Sequence, residues 1–187
     1  MIKRSYLDNH FLIAMPALQD PNFARAVVVL CQHNDEGALG IVVNRVSGMQ
    51  LGELLHQLDI GVSEPALGEQ AVYLGGPVQQ DRGFVLHEPH GDFDSSFAVS
   101  DQLHLTTSRD VLEALASGQG PQRALVALGY AGWSAGQLEQ ELLDNAWLST
   151  PLDPDLLFDL PPDERWQAAA ASIGIDPVML SSYAGHA

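Results

Sequence analysis

Lysine is almost missing from this chain: Lys3 is the only one, and the other seven basic residues are arginines. A P-loop or a Schiff-base mechanism needs an internal lysine, so neither is expected. Cysteine is as scarce. Cys31 stands alone, which excludes an intramolecular disulfide framework and a cysteine-built zinc site. Positive charge is short overall: 8 Lys and Arg face 24 Asp and Glu, for a formal net charge of −16. Phosphate backbones are held by clustered Lys and Arg that release counterions, so neither nucleic acid nor an anionic membrane surface is an expected partner. No apolar run approaches the roughly eighteen residues of a membrane span. Phe11-Leu12-Ile13-Ala14-Met15 follows Lys3 and Arg4, but Asp8 and His10 sit where the apolar part of a signal peptide would begin. The expected location is the cytosol.

What is present is core-forming material. The 187 residues are 46% hydrophobic and 17% charged, which suits one compact domain over 1–187. Repeats and low-complexity tracts are missing, and the Pro/Gly patches at Gly118–Pro121, Pro151–Pro154 and Pro161-Pro162 are short enough to be turns. His10–Met15 reads as a strand. Ala26–Cys31, carrying Val27, Val28 and Val29, reads as a strand covered on both faces. The turn residues Asn34-Asp35-Glu36-Gly37 join it to Leu39–Val43 as a hairpin. Further strands are expected at Ala71–Leu74, Gly83–His87, Phe97–Val99, Leu103–Leu105 and Arg123–Tyr130.

Helical spacing appears at Leu51, Leu54, Leu55 and Leu58, before Gly61. Val111, Leu112 and Leu115 form a second set, opened by Thr107 with Asp110 and closed by Gly118. Leu138, Leu142 and Leu143 form a third. A fourth helix starts at Pro162 and carries Trp166 and an alanine run before Gly174; Asp176-Pro177 opens a last one. Grouped strands with single helices between them, without strict alternation, give an α+β fold: a mixed, largely antiparallel sheet with helices packed on it.

Several residues carry potential chemistry. Gly132-Trp133-Ser134-Ala135-Gly136 matches the nucleophile-elbow pattern of acyl transferases. The only histidine after Ser134 is His186, however, and Ser134 with Gln137 also spells a helix capping box, the preferred reading. Cys31 and His33 lie two apart on one strand, so the thiol and imidazole are expected on one face, where an imidazolium would favour the reactive thiolate. A buried packing role for Cys31 is the alternative.

His87-Glu88-Pro89-His90 with Asp92 and Asp94 gathers imidazoles and carboxylates. Pro89 breaks any helical ligand pair, so a solvated turn is expected and no metal. Gly75-Gly76-Pro77, followed by Arg82, can offer backbone N–H groups and a guanidinium to an anion, though a tight turn explains the glycines too. Asn44, Gly75, Gly76, Arg82 and His87 are the ligand-binding candidates. Trp133, Trp147 and Trp166 are expected as core anchors.

The chain resembles the YqgE/AlgH family of bacterial proteins over essentially its whole length. The matching blocks are Phe11–Pro16, Asp20–Phe23, Cys31–Asn34 running into Glu36–Asn44, Gly75–Val78 with Gly83–His87, Gly129–Trp133 with Gly136–Glu139, and Asn145–Trp147. The resemblance implies a single-domain α+β fold in a cytosolic protein and brings no established reaction, substrate or cofactor; the family's better-known name reflects a regulatory association with alginate production. Residues and resemblance together lead to the expectation of a non-catalytic binding or regulatory module, acting on a protein partner or a small ligand and using no cofactor. The alternative is a thiol-based redox sensor or enzyme using Cys31 with His33.

Overall fold

A computed structural model describes residues 6–15, 18, 20, 21 and 23–175. The helix expected at Asp176-Pro177 lies outside them, as does His186. Ten strands organise the described residues. The first three are consecutive and antiparallel: β1 (His10–Ala14), β2 (Val27–Asn34) and β3 (Gly37–Val42). The hairpin between β2 and β3 turns at Asp35-Glu36, where the Asn34 side-chain carbonyl accepts the Glu36 N–H at 2.8 Å. A short edge strand β4 (Val46–Gln50) leads into α1 (Leu51–Gln57) and the single turn α2 (Pro65–Gly68). Then come β5 (Ala71–Leu74), the long β6 (Val78–His87) and the paired β7 (Ser96–Ser100) and β8 (Leu103–Thr106).

After α3 (Arg109–Ala116), the eleven-residue β9 (Ala124–Ser134) crosses the whole sheet. Its first half lies between β5, to which it is parallel, and β6, to which it is antiparallel; its second half pairs with β3. The chain closes with α4 (Gln137–Leu143), β10 (Trp147–Pro151) beside β1, α5 (Pro154–Asp159), a 3-10 turn over Pro162–Glu164 and α6 (Arg165–Ser172). Strand order is β10-β1-β2-β3-β9-β6-β8-β7, with the β4–β5 ribbon joined to β9. The α+β class, with a mixed and largely antiparallel sheet under helices, is therefore what the chain adopts.

Strand alternation sorts the core. On β2, Val27 and Val29 join Phe11, Ile13, Leu157 and Trp166 in the cluster under α5 and α6. Val28 and Leu30 face the other way, into the cluster with Leu138, Trp133 and Trp147 under α4. A third cluster packs Leu51, Leu55, Val111 and Leu112 of α1 and α3 on Val72, Val85 and Val126. Each fully buried aliphatic side chain is worth about 1.5–3 kcal/mol, so β2, covered on both faces, is a main source of stability. All three tryptophans are buried, and the indole N–H groups of Trp133 and Trp147 both donate to Glu141 Oε1, at 3.1 and 2.9 Å.

Candidate functional site

The expected partnership of Cys31 and His33 is corrected by a β-bulge. Pairing of β2 with β3 shifts between Leu30 and Gln32, which leaves Cys31 as the extra residue. One extra residue reverses the alternation beyond it. Cys31 therefore faces the α5/α6 cluster, where its thiol lies 3.6 Å from the Val29 carbonyl. His33 turns to the α4 side instead. Its Nε2 lies 2.5 Å from Glu139 Oε1, and its Nδ1 accepts the Leu7 N–H at 2.9 Å. Burial pushes the Cys31 thiol far above its ordinary range, away from the thiolate.

The His87 residues disperse rather than converge. The His87 ring is wholly buried, 2.7 Å from both the Glu88 carbonyl and Thr106 Oγ1, and desolvation lowers its pKa. His90 bonds the Gln119 carbonyl, while Glu88 Oε1 accepts the Gln122 and Arg123 N–H groups. Among the described residues no group of three or more His, Cys, Asp or Glu is arranged to hold a metal ion.

Gly75 and Gly76 mark the place where the chain leaves β5 and crosses β9. A Cβ on Gly75 would stand 2.3 Å from the Gly129 carbonyl oxygen, and one on Gly76 would stand 2.1 Å from the Tyr130 carbonyl carbon. The Gly75 N–H and C=O are both taken, by Leu128 O and by the Val42 N–H, each at 2.8 Å. Asn44 bridges backbone to backbone: its Oδ1 accepts the Val27 N–H and its Nδ2 donates to Arg25 O. Arg82 lies over the Phe84 ring, 5.5 Å from its centroid. The hollow that Gly76 lines, with Val42, Arg45, Leu74, Pro77 and Gln80, includes none of Cys31, His33 and His87.

Ser134 is the last residue of β9 and not a helix cap; Gly136, at φ 78°, precedes α4. The expected box is half formed. Gln137 Oε1 accepts the Ser134 N–H at 2.9 Å, but the Ser134 hydroxyl also turns to Gln137 Oε1, at 3.2 Å, leaving the first-turn N–H groups uncapped by it.

Two other basic residues, Arg123 and Arg165, come together where β5 and β9 begin side by side beneath α5 and α6. A cavity of about 350 Å³ opens there, with Arg123, Arg165, Gln70 and Gln122 as polar walls and Leu125 and Phe158 among the apolar ones. The local sequence explains the placement. Asp153 caps α5 by accepting the Asp155 N–H at 3.0 Å, and Pro154 starts the helix. Buried Leu156 and Leu157 then bring Phe158 and Asp159 to the cavity. On α6, Arg165, Trp166, Ala169 and Ala170 share the inward face, and the Trp166 N–H anchors it to Ala14 O at 3.0 Å.

The two arginines differ in kind. Arg123 is ion-paired: its Nη2 meets Asp155 Oδ1 at 2.9 Å and Asp159 Oδ2 at 3.0 Å, and the hydrogen bond it donates to Asp155 raises its pKa, although its Nε, like that of Arg165, is buried without an acceptor. Arg165 is only 4% exposed. It donates from Nη1 to the Val43 carbonyl and lies 5.2 Å from the centre of the Tyr73 ring. Its Nε is buried without an acceptor, and no carboxylate among the described residues pairs with it. Sequence reading passed over Arg165 because Trp166 and the alanines account for the helix by themselves. Its signal is positional: an arginine four residues before Ala169, on the apolar stripe.

No helix of the described residues is long and apolar enough to cross a membrane. The AlgH-like family model (DUF179) matches residues 11–178. A UPF0301 protein of Thioalkalivibrio sulfidiphilus is 56% identical over 187 residues, covering 100% of both chains. One from Stutzerimonas stutzeri is 56% identical over 184 residues, covering 98% of this chain and 97% of its own. The solution structure of the AlgH protein from Pseudomonas aeruginosa superposes with a TM-score of 0.80 at 51% identity, over 97% of each chain. A Corynebacterium diphtheriae protein shares the fold alone, with a TM-score of 0.72 at 21% identity, over 98% of this chain and 94% of that one. The chain therefore belongs to the AlgH-like family.

Proposed function

We propose that the protein is a non-catalytic binding module of the bacterial cytosol that takes a small ligand in the cavity between α5, α6 and the adjoining starts of β5 and β9. The observation that carries this reading is Arg165, a buried guanidinium with no carboxylate partner among the described residues, on the wall of a cavity of about 350 Å³. Burying a charge without a counter-charge costs several kcal/mol, about as much as a well-packed apolar residue would recover. An arginine placed at such cost beside a hollow of ligand size is better suited to recognition than to folding. Regulation would act through α5 and α6, which wall the cavity, with Gln167 and Ala171 of α6 exposed. Neither nucleic acid nor a membrane is part of this reading.

The test is a set of separate titrations of ¹⁵N-labelled protein with a small acid, an amine and an alcohol that share one apolar body. Saturable shifts at the Gln70, Ala71, Ala124 and Leu125 amides with any of them support the reading. No saturable shift at those amides with any of them overturns it.

A further inference from the structure

The charge arrangement around the cavity specifies the class of ligand. Two cations and two carboxylates meet there, but both carboxylates, Asp155 and Asp159, sit on Arg123. Arg165 is left with one carbonyl and one ring face. The four charges balance in sum, but Arg165 is the cation of this cluster with no carboxylate paired to it among the described residues. Guanidinium presents its donors as a planar fork, which matches a carboxylate edge to edge. Besides Arg123 and Asp159, the rest of the wall is apolar, aromatic or amide-bearing, with Leu125, Leu157 and Phe158 as well as Gln70 and Gln122. On the far side of Arg123, a second hollow is lined by Glu88, Asp101, Asp153 and Asp155, which repels anions and leaves the Arg165 side as the one that attracts them.

We propose that the cavity beside Arg165 binds a small organic monocarboxylate, with its carboxylate on the Arg165 guanidinium and its apolar body against Leu125 and Phe158. This rests on the reading of the cavity as a binding site and adds the ligand's charge and shape. A phosphate monoester suits the site less well. Its second ionisation near about pH 6 places a further negative charge beside Asp159 that nothing there offsets.

The experiment uses four probes with one phenyl body: benzoate, phenyl phosphate, benzyl alcohol and benzylamine, titrated into the full chain at pH 7 and followed by amide shifts at Ala71 and Ala124. Benzoate is expected to saturate, phenyl phosphate to bind at least about tenfold more weakly, and the alcohol and amine to give no saturable shift. Arg165→Gln is expected to weaken benzoate by about tenfold or more, and Arg165→Lys by less, because it keeps the charge and loses the fork. Should the arginine variants fail to fold, Ala71→Leu, which fills the cavity and leaves Arg165 in place, is expected to abolish benzoate binding. Saturable binding of the alcohol or amine at these amides without benzoate overturns the monocarboxylate assignment and leaves the cavity reading standing. Binding by none of the four overturns both, as does benzoate binding unaffected by Ala71→Leu.

Discussion

The His33 Nε2 and Glu139 Oε1 atoms lie 2.5 Å apart, joining the outer end of β2 to α4 across 106 residues of sequence. Because His33 Nδ1 accepts the Leu7 N–H at 2.9 Å, the ring proton of the neutral imidazole resides on Nε2 and points at the carboxylate. One side chain thus pins both the segment before β1 and the helix. Glu139→Ala leaves a buried imidazole N–H without its acceptor and is expected to lower unfolding stability by about 1–2 kcal/mol. Glu139→Gln keeps an oxygen acceptor and is expected to cost less. Urea denaturation of both variants, with hydrogen exchange at Leu7, checks the pair; equal losses would contradict it.

Cys31 is 3% exposed in the α5/α6 cluster, with its pKa raised by burial. Thiolate is the form that reacts, so a disulfide reagent is expected to label native protein only at the rate of unfolding, with no acceleration from pH 7 to 9 beyond the reagent's own. Stoichiometric labelling within the mixing time in native buffer would contradict this and revive the thiol-sensor alternative.

His87 makes stability depend on pH. Desolvation lowers its folded-state pKa below the ordinary histidine value, so the unfolded chain binds the proton more readily. Its contribution is complete above the unfolded pKa, about 6.5, and is lost as pH falls through that value toward the lower folded one. Urea midpoints are expected to drop between pH 7 and pH 5, and to drop less in His87→Gln. An identical drop in the variant would remove His87 as the cause.

Gly76 has no room for a side chain beside Tyr130, as the 2.1 Å approach to its carbonyl carbon requires backbone displacement. Gly76→Ala is expected to destabilise the protein by about 3 kcal/mol through overpacking. Gly91→Ala carries a positive φ of 62° but meets nothing within 4 Å, and is expected to cost less. Gly76 also carries a positive φ, of 156°, so thermal unfolding of the two variants compares close approach plus strain with strain alone; an equal loss in both would remove close approach as the cause.

Much of the fold was legible because its signals are local. The Val27–Leu30 run, the Asn34–Gly37 turn and the Leu51, Leu54, Leu55 spacing each declare their element within a few residues. The missed elements lack such signals. On β4, Ser47, Gly48 and Gln50 interrupt the apolar pattern; β10 is named a strand only by pairing with β1; α5 hides behind Pro151–Pro154, which reads as a turn. Ser108 rather than Thr107 precedes α3, its hydroxyl bonded to Asp110 Oδ1 at 2.5 Å.

The site was less legible for a related reason. The bulge that parts Cys31 from His33 depends on which residues of β3 find partners on β2, a register no single-strand pattern encodes. Arg165 gains its meaning from having no carboxylate paired with it among the described residues, and sequence distance says nothing about that.

The central claim is that Arg165 makes its cavity a seat for one organic carboxylate. A crystal structure of the full chain soaked with benzoate tests it most directly. The account predicts a phenyl ring between Leu125 and Phe158 with both carboxylate oxygens on the Arg165 guanidinium. Only water in that hollow at a saturating concentration, or a benzoate whose carboxylate turns to solvent, would contradict it.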